Sequence, residues 1–223
     1  SGGTQVLSVT KRPVTISGSR FYDGTTSVSS SDIDTFNNRV SGQSLTITGS
    51  GTVSTALSGS GKTIILGTLS LADGSGGLAS NYSLSGGTFD VNSRQLNVSG
   101  SRVYDNTSTV NGSDLVVSTG VGVEVMTLSG QGSIANANVG DNKTVTQNTL
   151  SLVSASGSAS NYSLGTISVN ITKRPVNVSL EKVYDGSLNA PASGLKTNGI
   201  TNTVGGQTLT LSGIGTMQDT GAG

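Results

Sequence analysis

The chain has 223 residues, with 12 basic and 12 acidic side chains, no histidine and no cysteine. Charge this sparse and balanced leaves no basic footprint for nucleic acid, no polybasic membrane patch and no acidic tail. The lack of cysteine excludes disulfides and thiolate metal sites and suits export in an unfolded state. No stretch approaches the roughly 18 apolar residues of a transmembrane helix, and no secretory signal is recognisable.

In chain order, a period of about 80 residues dominates. Residues 1–10 read as the closing strand of a preceding repeat, because Gly3 to Thr10 matches Gly165 to Thr172. Repeat 1 covers 11–92, repeat 2 covers 93–172, and a truncated repeat 3 covers 173–223. Their entries align as Lys11-Arg12-Pro13-Val14, Ser93-Arg94-Gln95-Leu96 and Lys173-Arg174-Pro175-Val176. The triplets Tyr22-Asp23-Gly24, Tyr104-Asp105-Asn106 and Tyr184-Asp185-Gly186 follow. Further on, Gly49-Ser50-Gly51 matches Gly130-Gln131-Gly132, Gly61-Lys62-Thr63 matches Asn142-Lys143-Thr144, and Asn81-Tyr82 matches Asn161-Tyr162. The pattern leads us to expect a segment cut from something longer.

Helix formers are scarce, and short runs alternate apolar with polar at Val14/Ile16, Leu45/Ile47, Leu96/Val98 and Val176/Val178. Each such run predicts a strand with one buried face. Ser31 to Asn38 and Ser113 to Val116 are each expected to hold at most one helical turn, capped by serine with aspartate behind it. The expected fold is all-β: a tandem array of β-sandwich-like repeats, with an immunoglobulin-like arrangement and other all-β topologies both open. Small repeats bury a modest share of their surface, so contacts with neighbouring repeats matter. The junction from Val169 to Val178 has no flexible linker, and Pro13 and Pro175 suit a strand entry or a crossover. A stiff, elongated rod is the expectation.

The tyrosine triplets admit two readings. One is a sugar site, with an aromatic face and an aspartate for hydroxyls. The other is structural: the ring packs on the core, the aspartate caps the turn, and Gly24, Asn106 or Gly186 takes a positive φ. Asparagine at position 106 favours the structural reading, as asparagine is the usual stand-in for glycine there. Asn81-Tyr82 and Asn161-Tyr162 read likewise, as a turn asparagine before a core aromatic with a hydroxyl partner. Asp32, Asp34 and Asp73 lack calcium-loop spacing, and Lys62 and Lys143 read as solvated or ion-paired.

Catalysis has almost no support, since there is no histidine, no cysteine nucleophile and no repeated carboxylate pair. No cofactor or metal is expected. Gly61-Lys62-Thr63 lacks the upstream glycine of a phosphate loop and leads into strand-like Ile64-Ile65-Leu66.

The ordered set Lys-Arg-Pro-Val, Tyr-Asp-Gly, Gly-Lys-Thr, Leu-Ser-Leu and Asn-Tyr-Ser-Leu resembles the YDG-type repeat of large bacterial surface proteins. Those are filamentous-haemagglutinin-like and biofilm-matrix adhesins exported by two-partner secretion. Repeat 2 departs from the pattern at Asn106 and at Ser93-Arg94-Gln95. The resemblance implies an extracellular stalk, at the cell surface or in the biofilm matrix, and an outer-membrane two-partner transporter. Its expected partners are neighbouring repeats of the same chain. An alternative has the repeats themselves binding matrix exopolysaccharide or other adhesin copies, where many weak contacts add along the array.

Overall fold

A computed structural model describes residues 5–218. It is built mostly of β-strands punctuated by single 3-10 turns. Repeat 1 contains β1 (Arg12–Phe21), β2 (Ser27–Ser29), β3 (Ile33–Asn37), β4 (Leu45–Thr48), β5 (Ser50–Thr52), β6 (Gly59–Thr63), β7 (Ser70–Asp73) and β8 (Tyr82–Asn92). A four-stranded sheet runs in the order β3-β1-β8-β6, and two-stranded ladders join β2 to β5 and β4 to β7. The first and last strands of the repeat, β1 and β8, are parallel neighbours at the middle of the sheet. Parallel neighbours need a long crossover, and the intervening repeat supplies it. Central position explains their apolar character: Val14, Ile16, Phe89 and Val91 are all buried.

Repeat 2 has the same elements: β9 (Arg94–Val103), β10 (Thr109–Asn111), β11 (Leu115–Val116), β12 (Met126–Ser129), β13 (Gln131–Ser133), β14 (Gly140–Thr144), β15 (Ser151–Ser154) and β16 (Tyr162–Thr172). Its sheet order, β11-β9-β16-β14, repeats that of repeat 1. Repeat 3 contributes β17 (Asn177–Leu180), β18 (Asn189–Pro191), β19 (Leu195–Thr201) and β20 (Ile214–Thr216), paired as β17-β19 and β18-β20.

The glycine in Thr48-Gly49-Ser50 has a structural cause. β4 pairs with β7 while β5 pairs with β2, so the chain changes ladder at Gly49. Its φ is +87°, and a Cβ there would lie 2.2 Å from the Thr68 carbonyl oxygen. Gly130 repeats this with φ +82° and the same 2.2 Å approach to Thr149.

Some local expectations are corrected. The capped turn in repeat 1 is Ser30–Asp32, with Ser29 rather than Ser31 at its N-cap, and Ile33–Asn37 is a strand. In repeat 2 the turn is Gly112–Asp114 behind Asn111, followed by the strand Leu115–Val116. The aspartate closes both turns: Ser29 N donates to Asp32 Oδ2 and Asn111 N to Asp114 Oδ2, each at 2.9 Å. Val176 and Val178 are exposed, contrary to the alternation rule: Val176 lies ahead of β17, and among the described residues β17 pairs with β19 alone where β1 has both β3 and β8. Only Ser93 separates β8 from β9, but Lys173 to Val176 lie outside any strand. Lys62 is hydrogen-bonded to Thr55 Oγ1 at 3.0 Å, and Lys143 to Asn136 Oδ1 at 2.7 Å and the Asn138 carbonyl at 2.8 Å; among the described residues neither is ion-paired.

The chain divides into two compact units. The first comprises residues up to Asn97 with Val117–Leu128 and Ser151–Gly165. Its main core gathers Ile16, Val28, Ile33, Val53, Ile64, Leu69, Phe89 and Val91 from repeat 1, and continues through Tyr22 to Leu96, Val121, Met126 and Tyr162 of repeat 2. A smaller cluster holds Val14, Leu45 and Tyr82. The second unit comprises Val98–Val116, Ser129–Leu150 and the chain from Thr166. Its buried residues include Val98, Val110, Ile134, Leu150, Ile167, Val169 and Ile171.

Candidate functional site: a tyrosine junction between successive repeats

The Tyr-Asp-Gly segment is a turn clamped from both sides. Asp23 Oδ1 accepts from the Thr25 backbone N–H at 2.9 Å and from its hydroxyl at 3.0 Å. Arg20, three residues back on β1, ion-pairs with the same carboxylate and donates to the Thr25 carbonyl. Its guanidinium also lies 5.9 Å from the Phe89 ring centroid. Arg102, Asp105 and Thr107 repeat the clamp in repeat 2, and Lys182, Asp185 and Ser187 in repeat 3. Burial pushes the Asp23 and Asp105 carboxyls up, but the donated hydrogen bonds and the arginine charge bring both below the usual range. Asp185 falls to about 2, chiefly through the Lys182 hydrogen bond and then those from Ser187. Gly24, Asn106 and Gly186 take φ of +80°, +65° and +74°. The clamp fixes where the preceding tyrosine points.

Tyr22 points into the next repeat. Its hydroxyl donates to Glu124 Oε1 at 2.5 Å, and Tyr162 donates to the other oxygen, Oε2, at 2.6 Å. These are short, charge-assisted O–H···O⁻ bonds. The two rings meet edge to face, with centroids 5.4 Å apart and an interplanar angle of 82°. Beside them Ser58 donates its backbone N–H to Asn161 Oδ1 and its hydroxyl to the Ser160 carbonyl, both at 2.9 Å. All of these groups belong to the first compact unit. Burial, then the hydrogen bond to Glu124 and its charge, push the Tyr22 hydroxyl up to about 12, and the same causes raise Tyr162 further.

The position of Glu124 recurs in every repeat. Gln43, Glu124 and Gln207 each end a tight turn in which their N–H donates to the carbonyl of Val40, Val121 or Val204 at 3.1 Å. In repeat 1, Tyr82 donates to Gln43 Oε1 and accepts from the Val40 N–H at 3.2 Å. In the second unit, Gln207 Nε2 donates to the hydroxyl of Tyr104. Position 43/124/207 thus has two duties. Glu124 takes both the Asn-Tyr tyrosine of its own repeat and the Tyr-Asp-Gly tyrosine of the repeat before, while Gln43 takes the first kind and Gln207 the second. Around Tyr104 lies a cleft of about 240 Å³ lined by Val139, Arg174, Val176, Val204, Gln207 and Leu209, among others.

The fifteen residues singled out in the sequence divide accordingly. Tyr22, Tyr82, Asn161 and Tyr162 are buried, Tyr104 is half-buried, and Asn81 and Tyr184 are exposed. Asp23, Gly24, Asp105, Asn106, Asp185 and Gly186 form the exposed turns. Pro13 sits in β1 ahead of its pairing with β3, which begins at Thr15. The Pro13 carbonyl accepts from Asn38 Nδ2 at 2.7 Å, while Arg12 donates to the Asn38 side chain and carbonyl. Pro175, Asn202 and Arg174 reproduce the same arrangement. Sequence reasoning missed Arg20, Arg102 and Lys182, which stood out as a cation three residues before each aspartate. It also missed Gln43, Glu124 and Gln207, marked by a valine three residues earlier and an intervening glycine. Among the described residues, no group of three or more acidic side chains is placed to hold a metal.

A family model described as the YDG domain matches the chain twice, at residues 7–89 and 92–169. Comparison with curated proteins and with solved structures returned no match.

Proposed function

Since the chain belongs to the YDG-domain family, with two copies in tandem, we propose that it is a non-enzymatic repeat segment of a bacterial surface or secreted adhesin. In this reading it is a stiff extracellular stalk that supports cell adhesion, aggregation or biofilm formation. The protein is of the filamentous-haemagglutinin-like kind and leaves the cell through an outer-membrane two-partner transporter. The observation that carries the stalk role is the packing of Tyr22 between Glu124 and Tyr162 of the following repeat. A flexible string of domains needs no such plug. A hydrophobic core that continues from one repeat into the next resists bending at the joint, as nearest-neighbour interfaces do in repeat proteins. Support for the extracellular setting comes from the absence of cysteine and the sparse charge.

Two measurements test the reading. Antibodies against the segment should label intact cells or the culture fluid of the source bacterium, and in-frame deletion of the repeats should reduce attachment or biofilm mass. Labelling confined to the cytoplasm would sink the adhesin role. Solution scattering from the chain should fit a narrow range of interdomain angles, and a freely jointed ensemble would sink the stiffness.

A further inference from the structure

The tyrosine socket at Glu124 joins repeats 1 and 2 from within, and a different arrangement stands on the outside of the same joint. Repeats 1 and 3 each lock their entry arginine. Arg12 donates to the Asn38 carbonyl at 2.6 Å and to its side-chain oxygen at 2.9 Å, and Arg174 does the same to Asn202 at 2.7 and 2.8 Å. Both asparagines sit at positive φ, +65° and +63°, and their amides close on the proline carbonyls. Repeat 2 has no such lock. Val121 follows Leu115 by six positions where Val40 follows Ile33 by seven, and Gly120, with φ +62°, takes the place of the asparagine. A Cβ there would lie 3.8 Å from Arg94 Nη2, so the guanidinium is beside a residue with no side chain to hold it. Among the described residues, no hydrogen bond or ion pair engages that half-buried guanidinium.

Two further substitutions mark the same place. Gln95 stands where the other repeats have Pro13 and Pro175, and Phe21 where they have Val103 and Val183. Arg20 and Tyr22 on either side of Phe21 turn inward, so strand alternation turns the phenylalanine out, and it is 63 % exposed. Phe21 from repeat 1 and Arg94 and Gln95 from repeat 2 line a cleft of about 360 Å³, within the roughly 300–1,000 Å³ of small-ligand clefts. All of these residues belong to the first compact unit.

We propose that this cleft binds a uronic acid residue of an acidic polysaccharide. A guanidinium that has lost part of its water and gained no partner favours an anion, and its planar fork matches a carboxylate in a bidentate pair. The Phe21 ring adds a flat apolar face for the C–H face of a sugar ring. Gln95 supplies a donor and an acceptor for hydroxyls. A hexuronate carries carboxylate, apolar ring face and hydroxyls in one residue. Sulfate or phosphate would satisfy the arginine alone, and a neutral sugar would leave it unpaired. With one ion pair and one ring contact, a dissociation constant on the order of 1 mM is expected. The binding is separate from the stalk role, which neither requires it nor falls with it.

The test titrates isotope-labelled full chain with trigalacturonate to about 10 mM. The Phe21, Arg94 and Gln95 amides should shift in a saturating way. Maltotriose, which lacks the charge, and sodium acetate, which lacks the ring, should each bind about tenfold more weakly or less. Arg94→Gln should weaken trigalacturonate binding roughly ten- to hundredfold, and Phe21→Val, the residue type of repeat 2, roughly two- to tenfold. Gly120→Asn alters none of the three lining residues, and its φ is one that asparagine takes at 38 and 202. It should recapture Arg94 and weaken binding about tenfold, while unmoved amides in the second compact unit show that the chain is folded. No saturating shift with trigalacturonate would overturn the proposal. So would equal binding of maltotriose, equal binding of acetate at the same carboxylate concentration, or undiminished binding by Gly120→Asn.

Discussion

Replacing Tyr22 with phenylalanine removes one atom and leaves the ring on Tyr162. What is lost is the 2.5 Å bond to Glu124 Oε1, whose carboxylate keeps only the Tyr162 hydroxyl on its other oxygen. A hydrogen bond to a charged acceptor contributes about 1.5–3 kcal/mol, a roughly ten- to hundredfold change in an opening equilibrium. Tyr104→Phe removes a bond to the neutral Gln207, for which about 0.5–1.5 kcal/mol is expected. The cost should fall on the junction before it falls on the fold, since a repeat can open locally at its end while its sheet persists. Native-state amide hydrogen exchange resolves the two. The Ser58 amide, bonded across the junction to Asn161, should lose protection ten- to a hundredfold, a change read directly from its exchange rate. The Tyr22 amide, bonded within repeat 1 to the Asn92 carbonyl at 2.8 Å, should change far less. Unchanged protection at Ser58, or an equal loss at both amides, would refute the assignment of Tyr22 to the junction. Glu124→Gln should be milder than Tyr22→Phe, because glutamine bonds the Asn-Tyr tyrosine at position 43 and the Tyr-Asp-Gly tyrosine at position 207.

Other expectations follow from the same geometry. Gly24→Ala and Gly186→Ala both place a Cβ at positive φ, a cost of roughly 1–2 kcal/mol. Only the first also meets Val121, so denaturant titration should show Gly24→Ala as the more destabilising. Gly18→Ala and Gly100→Ala would set a Cβ 2.0 and 1.9 Å from the carbonyl oxygens of Asp32 and Asp114. Each should detach its capped turn from the sheet, seen as a large loss of thermal stability. Alkaline pH supplies a further check. The Tyr22 hydroxyl is raised from 10.0 to about 12 in the folded chain, so its contribution is complete below pH 10 and is lost as pH rises through 12. The denaturant midpoint should be level up to pH 9.5 or so and fall above 10. Tyr22→Phe should flatten that fall, and an unchanged slope in the variant would count against the buried hydroxyl.

Much of the repeat was legible because local rules act within a few residues. Positive φ at Gly24, Asn106 and Gly186 follows from turn chemistry, and the buried Val14/Ile16 and Leu96/Val98 pairs follow from strand alternation. The same alternation misled at Val176/Val178, since a strand buries a face only when strands and ladders exist to cover it. The socket was harder to read. Gln43, Glu124 and Gln207 differ in charge and sit in glycine-bearing loops, so they look like solvated polar residues until two tyrosines from different repeats are seen to converge on one of them.

The tyrosine ring makes the physical point most directly. Tyr22, Tyr104 and Tyr184 occupy the same turn, held by the same clamp, yet they range from 4 % exposed at Tyr22 through half-buried at Tyr104 to 70 % exposed at Tyr184. Nothing in the turn itself accounts for that range. It follows what lies ahead of the ring: Glu124, Tyr162 and the Ser58–Asn161 bond for Tyr22, and Gln207 with a partly open cleft for Tyr104. For Tyr184 no socket is in place among the described residues. Burying an aromatic ring of this kind removes roughly 150–250 Å² from water, so each joined pair of repeats gains a contribution that neither holds alone. A sequence that places a rigidly aimed tyrosine at the same turn of every repeat is specified for the joint as much as for the repeat.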